Sequence, residues 1–230
     1  MPYRPTVKTE QKKEAMRKRL IAAAQSLFTT QGYEATTLQQ IVKEAYTSIG
    51  NCYFYFPNKE ALLFAVADEL RQEIARKIDE AIAPLPLGPG LLAVAVYVGT
   101  QAVLERADVA RFALSDSTHP SLRPLTRELF VSRVRRAFEA MPSLFAEWPE
   151  ATPHLAATAW HGAVSYVLEE AVAGRIVHDP HQTAHFLVRW NIQALGLSEL
   201  VVQQAMEDLQ AYVTSQEPCI MKKNSEAVYE

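Results

Sequence analysis

The chain has 230 residues, 49% of them hydrophobic, and a formal net charge of −3. That apolar share is enough for a packed core and argues against a disordered chain, while no run approaches the ~18 uninterrupted apolar residues of a membrane span. The charge alone points to no polyanionic partner, and the two cysteines, Cys52 and Cys219, lie far apart without a C-x-x-C, which argues against a disulfide framework or zinc finger and suits a reducing compartment.

The distribution of charge says more than its sum. Residues 1–60 hold 9 Lys and Arg against 5 Asp and Glu, whereas residues 61–230 hold 14 against 21. A basic head on an acidic body implies that the head alone meets a polyanion. The N-terminal stretch MPYRPTVKTEQKKEAMRKR has no apolar core behind its charges, so no secretory signal is expected and the expected location is cytoplasmic.

Residues 1–9 are expected to be disordered. From about Glu10 a helical repeat runs through Leu20, Ile21, Ala24, Leu27 and Phe28 to a stop at Gly32. Thr36 and Thr37 each begin a T-x-x-Q capping box, with Gln39 and Gln40, and the sequence does not choose between them. Leu38, Ile41, Val42 and Ala45 predict a short amphipathic helix, too short to stand without packing. Tyr46 and Thr47 form a tight turn, and a second short helix is predicted over 48–53, with Cys52, Phe54 and Phe56 read as core. Pro57 breaks the chain, Asn58 caps the next helix with Glu60 in its first turn, and an apolar stripe then runs to about Ala83.

PLPLGPG at 84–90 is a strong breaker. Helices are then predicted over 91–104, 107–114, 125–141, 154–173, 181–195 and 199–213, the fifth led by Asp179-Pro180 as cap and first turn and carrying Phe186, Leu187, Trp190 and Ala194 on its apolar side. Residues 215–230 lose periodicity and are expected to be a flexible tail. With no strand-like alternation, the fold class is all-α: a helix-turn-helix head over 10–57 and a larger helical body over 58–214.

A helix, a tight turn and a second short helix can place the second helix in a DNA major groove, about 12 Å wide. Ser48, Gly50 and Asn51 are small enough to let the backbone approach base edges, and an Asn amide can both donate to and accept from adenine. The aromatic run strengthens this reading. Tyr53, Tyr55, Phe56, Lys59, Glu60 and Leu62 resemble the Y-x-H/Y-F-x-x-K-E-x-L signature of the tetracycline-repressor (TetR) family. Phe28, Gly32 and Tyr33 resemble the end of its first helix, and Thr36, Thr37, Leu38 and Ile41 the start of its second. The resemblance covers about residues 12–70.

The resemblance implies a sequence-specific transcriptional regulator, a repressor released from a palindromic double-stranded DNA operator by a small, largely hydrophobic effector. It implies phosphate contacts from Thr37, Tyr53, Tyr55 and Lys59 and base contacts from Ser48, Ile49, Gly50 and Asn51. A helix N-terminus, tyrosine hydroxyls and a lysine ammonium all suit phosphate. Ile49 departs from the polar residue usual at its position and is expected either to touch a thymine methyl or to turn inward, and Tyr55 stands where the family often has His. The resemblance also implies a homodimer, for which the small residues Ala156, Ala159, Gly162 and Ala163 in 154–173, together with 181–195, offer a four-helix interface. By position in the family, Tyr97, Gln101, Phe112, Phe130, Val134, Phe138, Trp160, His161, Val164 and Ser165 would line the effector pocket.

No nucleotide loop or nucleophile motif is readable, so no enzyme activity and no cofactor are expected. His178, His181 and His185 lack an acidic third ligand, and no metal site is expected. A thiol- or metal-responsive regulator using the same head is the alternative, with Cys52 as the thiol.

Overall fold

The computed structural model describes residues 7–113, 122–145 and 152–226. Among them every regular element is a helix. The first, α1 (Val7–Gln31), starts a turn earlier than expected, so residues 7–9 are helical rather than disordered. Its face of Leu20, Ile21, Ala24 and Phe28 is almost wholly buried. Gly32 ends it at φ 86°, its N–H donating back to Phe28 O at 3.1 Å.

The capping ambiguity resolves to Thr37. Its hydroxyl accepts from Gln40 N at 3.2 Å, while the Gln40 side chain accepts from the Thr37 N–H at 2.8 Å, closing a reciprocal box on α2 (Leu38–Glu44). Thr36 is instead buried and donates to Gly32 O at 2.7 Å. Helix α2 ends in a Schellman turn: Thr47 N–H donates to Val42 O and Tyr46 N–H to Lys43 O. The left-handed residue this turn requires is Tyr46, at φ 50°. A side chain in that region costs roughly 1–2 kcal/mol that glycine avoids.

Ser48 caps α3 (Ile49–Tyr55), accepting from Asn51 N at 3.2 Å, so the helix starts one residue later and ends two later than predicted. Cys52 and Phe56 are core, as expected. Phe54 is not: it is 68% exposed, because Cys52 and Phe56 already fill the inward positions one turn apart and Phe54 lies between them on the outer side. Asn58 Oδ1 accepts from Ala61 N at 2.8 Å and caps α4 (Lys59–Ile82).

The remaining helices are α5 (Pro89–Leu104), α6 (Ala107–Ala113), α7 (Leu122–Glu139), α8 (Pro153–Val172), α9 (Pro180–Gln193) and α10 (Glu199–Glu226), with a 3-10 turn over Pro142–Phe145 in the predicted loop. Helix α10 runs through the predicted tail to Glu226; the apolar repeat stops near Val213, so sequence periodicity had no means of showing the extension. Asp179 caps α9 by accepting from His181 N and Gln182 N, with Pro180 at the first turn.

The chain divides into two compact units, Met1–Glu73 with Arg106–Thr126, and Ile74–Glu105 with Arg127–Glu230. The boundary falls inside α4 rather than at its start, because Leu62, Leu63, Val66 and Leu70 extend the core of the first unit. Helix α6 returns to pack on α1. In the second unit α5 is central, buried among Leu187, Val188 and Ile192 of α9, Val202, Ala205 and Leu209 of α10, and Trp160 of α8. Close approach of α10 needs Gly90: a Cβ there would stand 2.8 Å from Cβ of Asp208.

On α9 the sequence reading put Phe186 and Trp190 on the inward side. Both are 58% exposed and stack on each other at 6.0 Å. The buried positions are Thr183, Ala184, Leu187, Val188, Asn191 and Ile192. The helix is apolar on two faces, and only one of them is covered within a single chain. Leu155, Ala159, Gly162 and Tyr166 form a matching exposed row on α8, at i, i+4, i+7 and i+11.

Candidate nucleic-acid interface

The first unit holds its two short helices with polar clasps from outside them. Arg19 on α1 donates to the carbonyls of Ala45 and Tyr46, fixing the turn before α3. Gln31 Nε2 donates to Thr36 Oγ1 at 3.1 Å and to Gln40 Oε1 at 3.2 Å, tying the end of α1 to the cap of α2. Lys59 Nζ donates to Tyr33 O at 2.8 Å and Glu34 O at 3.3 Å and lies 4.3 Å from the centre of the Tyr33 ring. The Phe28 and Tyr33 rings meet edge to face at 5.2 Å. Burial, followed by the nearby Glu60 and Glu34 carboxylates, raises the Tyr33 hydroxyl above its ordinary pKa.

Against this frame α3 leaves Ser48, Ile49, Gly50 and Tyr53 exposed, with Asn51 and Tyr55 half-buried. These are the predicted base- and backbone-contacting positions, and they gather on one short helix and its ends. Ile49 is 39% exposed, turned out rather than into the core. A Cβ at Gly50 would meet nothing within 4 Å, so no part of this chain requires glycine there. The Asn51 amide nitrogen donates to Thr47 Oγ1 at 2.8 Å, which leaves its second N–H and its carbonyl unused by that bond. Thr37 is exposed, and its hydroxyl also donates to Gln40 Oε1 at 3.0 Å. Lys59 is the least available predicted contact, since two carbonyls hold its ammonium. Tyr46, 88% exposed, and Phe54 are surface aromatics that sequence reasoning missed; no local pattern marks a left-handed tyrosine.

Cys52 lies inside α3 with no exposure, and burial raises its pKa. A thiol held protonated and covered is a poor redox sensor, which removes the support for the thiol-responsive alternative. Among the described residues no group of three or more His, Cys, Asp or Glu is placed to hold a metal. His181 Nδ1 instead pairs with Tyr97 OH at 2.7 Å.

The N-terminal region matches the sequence model described as bacterial regulatory proteins, tetR family, over residues 20–66. That similarity to the tetR family is carried by residues 20–66, the two short helices with their flanks. The HTH-type transcriptional regulator HbdR of Aromatoleum sp. (strain CIB) is 42% identical to this chain over 76 residues, 31% of this chain and 33% of that protein. The chain thus matches about a third of the length of that curated relative. Solved structures extend the similarity in fold to about four-fifths of the chain. NalD, a repressor of a multidrug efflux pump in Pseudomonas aeruginosa, aligns with TM-score 0.65 and 18% identity, over 79% of this chain and 96% of that one. A SmeT–triclosan complex aligns with TM-score 0.62 and 18% identity, over 78% and 91%.

The predicted pocket residues of the body come together only in part. Phe130 stacks on His161 at 5.9 Å, and Phe138 meets Trp160 edge to face at 5.5 Å. Val134 and Val164 pack against the core, and Ser165 donates to Gly162 O at 3.4 Å. Tyr97 is turned to His181 and His185, whose rings lie 6.2 and 5.3 Å away. Gln101 Nε2 and Thr100 Oγ1 are buried with no hydrogen-bond partner among the described residues. The side chain of Phe112 lies outside the described residues. A cavity of about 310 Å³ lies between α8, α9 and the 3-10 turn, lined by Phe145, Ala156, Ala159, Trp160, Ala163, Trp190, Asn191, Ala194 and Leu195. Of the predicted pocket residues, Trp160 lines it.

Burial, followed by the Arg127 charge, lowers the pKa of His161 from 6.5 to about 4. The unfolded chain therefore binds a proton between these values that the folded chain refuses. This contribution to stability is whole above pH 6.5 and is lost as pH falls towards 4, by about 3 kcal/mol at 1.36 kcal/mol per unit. Denaturant titrations at pH 7 and 4.5 are expected to show a smaller acid loss for His161→Phe than for the wild type. Equal losses would mean that the imidazole is not held neutral.

Proposed function

We propose that this chain is a regulator of the tetR family, a sequence-specific DNA-binding transcriptional regulator that acts as a homodimer. In this reading it is a repressor, released from a palindromic operator by a small, largely hydrophobic effector. The observation that carries the reading is the exposed face of α3, made of Ser48, Ile49 and Gly50, with Cys52 and Phe56 buried behind it and Arg19 holding the turn before it. An element so short, so firmly clasped and so bare on its outer side suits insertion into a major groove. Tyr53 and Tyr55 supply hydroxyls for the DNA backbone, and Thr37 does so at the start of α2. A regulator acting on chromosomal DNA works in the cytoplasm.

The repressor role is supported by similarity to NalD, and an apolar effector by similarity to the triclosan-bound SmeT. Gln101 adds a reason from this chain. An amide nitrogen buried without an acceptor costs about 1–3 kcal/mol, which a ligand oxygen would offset. Phe130, Val134, Phe138, Trp160 and Val164 supply apolar surface, and a neutral His161 adds a second polar group. The two-fold axis is assigned to the exposed rows of α8 and α9. Helix α4, which contributes to both units, is the route by which effector binding shifts the population of DNA-competent dimers.

Gly50→Ala tests the reading without harming the fold. Alanine favours the helix by up to about 1 kcal/mol and meets open space. Duplex affinity is expected to fall at least about tenfold, since backbone approach to the bases is what glycine permits. A variant as stable as the wild type with unchanged affinity would contradict an α3 that enters the groove.

A further inference from the structure

Left-handed backbone is filled by glycine at Gly32, Gly174 and Gly196, each just past a helix end, and by a bulky side chain only at Tyr46 among the described residues. The turn at Tyr46 is of the kind that glycine closes without strain. The side chain kept there offers the fold almost nothing in return, for it is 88% exposed. Strained non-glycine residues persist where the surroundings hold them and where the side chain is needed. Here the surroundings are explicit: Arg19 donates to the carbonyls of Ala45 and Tyr46, and Thr47 N–H is held by Val42 O at 2.9 Å.

We propose that Tyr46 is a further DNA contact of the head, its phenol hydroxyl donating to a backbone phosphate at the rim of the groove that α3 enters. This rests on the DNA-binding reading above. Tyr46 stands two residues before Ser48, the cap at the end of α3 that leads into the groove, and in a helix-turn-helix the element before the reader crosses the DNA backbone. A tyrosine hydroxyl is a good phosphate donor, and an exposed ring on a clasped turn presents it with little loss of freedom. The contact carries no base information, so it adds affinity without preference. Being uncharged, it displaces no counterion of its own.

The test compares wild type, Tyr46→Gly and Tyr46→Phe, measuring the melting temperature of each full-length protein and its affinity for a selected duplex and a scrambled one across a salt series. Tyr46→Gly is expected to melt about 2–4 °C higher, the strain being relieved, yet to bind both duplexes about tenfold more weakly. Tyr46→Phe is expected to melt with the wild type and show the same loss, and neither variant changes the slope against log salt. Tyr46→Gly or Tyr46→Phe binding as tightly as the wild type would overturn the proposal, as would a loss confined to the selected duplex, which would mark a base contact. A wild type that binds no duplex at any salt would overturn the DNA-binding reading itself.

Discussion

Phe28→Ala is expected to destabilise the first unit by about 3–5 kcal/mol, the usual cost of emptying a buried aromatic site. Phe28 is 2% exposed and among the largest fully buried side chains of the chain. Its neighbours cannot easily close the space, because they are tied to one another. The Tyr33 ring lies edge-on to Phe28, the Lys59 ammonium sits over that ring, and the same ammonium holds the carbonyls of Tyr33 and Glu34. Collapse of Tyr33 into the cavity therefore strains the clasp that joins the start of α4 to the turn after α1. Against a typical domain stability of about 5–15 kcal/mol, roughly a fifth or more is lost. Urea titration followed by far-UV circular dichroism measures it, since all three tryptophans lie outside the head. A loss under about 1 kcal/mol would mean that Phe28 does not anchor the head.

Trp190→Asp is expected to leave the single chain folded and to break the dimer. The substitution falls on the exposed face of α9, whereas Leu187, Val188 and Ile192, at 1% exposure or less, hold the helix to its own chain. In the proposed two-fold interface Trp190 and Phe186 stand beside the alanine-walled cavity of α8 and α9, a knob next to a hole on one surface. Self-complementarity of that kind is what an isologous contact requires. Removing a central aromatic costs an interface about 2–4 kcal/mol, and a buried carboxylate adds to it, so dimer dissociation should rise by two orders of magnitude or more. Operator binding should fall with it, because each subunit carries one reader. Sedimentation at micromolar concentration reads the first effect and duplex titration the second. A variant that remains a dimer would move the interface elsewhere.

The architecture of the head was legible because its signals are local. Capping residues, the Gly32 stop and the 3.6-residue repeat of Leu20, Ala24 and Phe28 each act within a few positions, and the structure follows them. The choice between Thr36 and Thr37 was not legible. Both begin the same box, and only the distant carbonyl of Gly32, which captures the Thr36 hydroxyl, decides it. The holding of Lys59 by Tyr33 and Glu34 was hidden for a similar reason, the partners being 26 and 25 residues away. On α9 the sequence shows apolar residues on two faces and gives no means of telling the one that meets its own chain from the one left bare. Phe54 was misread because an aromatic run looks like core, whereas a helix of seven residues had room to bury only Cys52, with Phe56 just beyond it. The body's pocket was the least legible part, since family position names helices but not which of their side chains converge.

The most direct test is selection of duplexes from a random library by the full-length protein, repeated across a salt series. The account predicts enrichment of a palindrome whose half-sites are centred about 34 Å apart, or one further turn of DNA, with affinity falling steeply as salt rises. Recovery of no preferred sequence, or binding absent even at low salt, would contradict it.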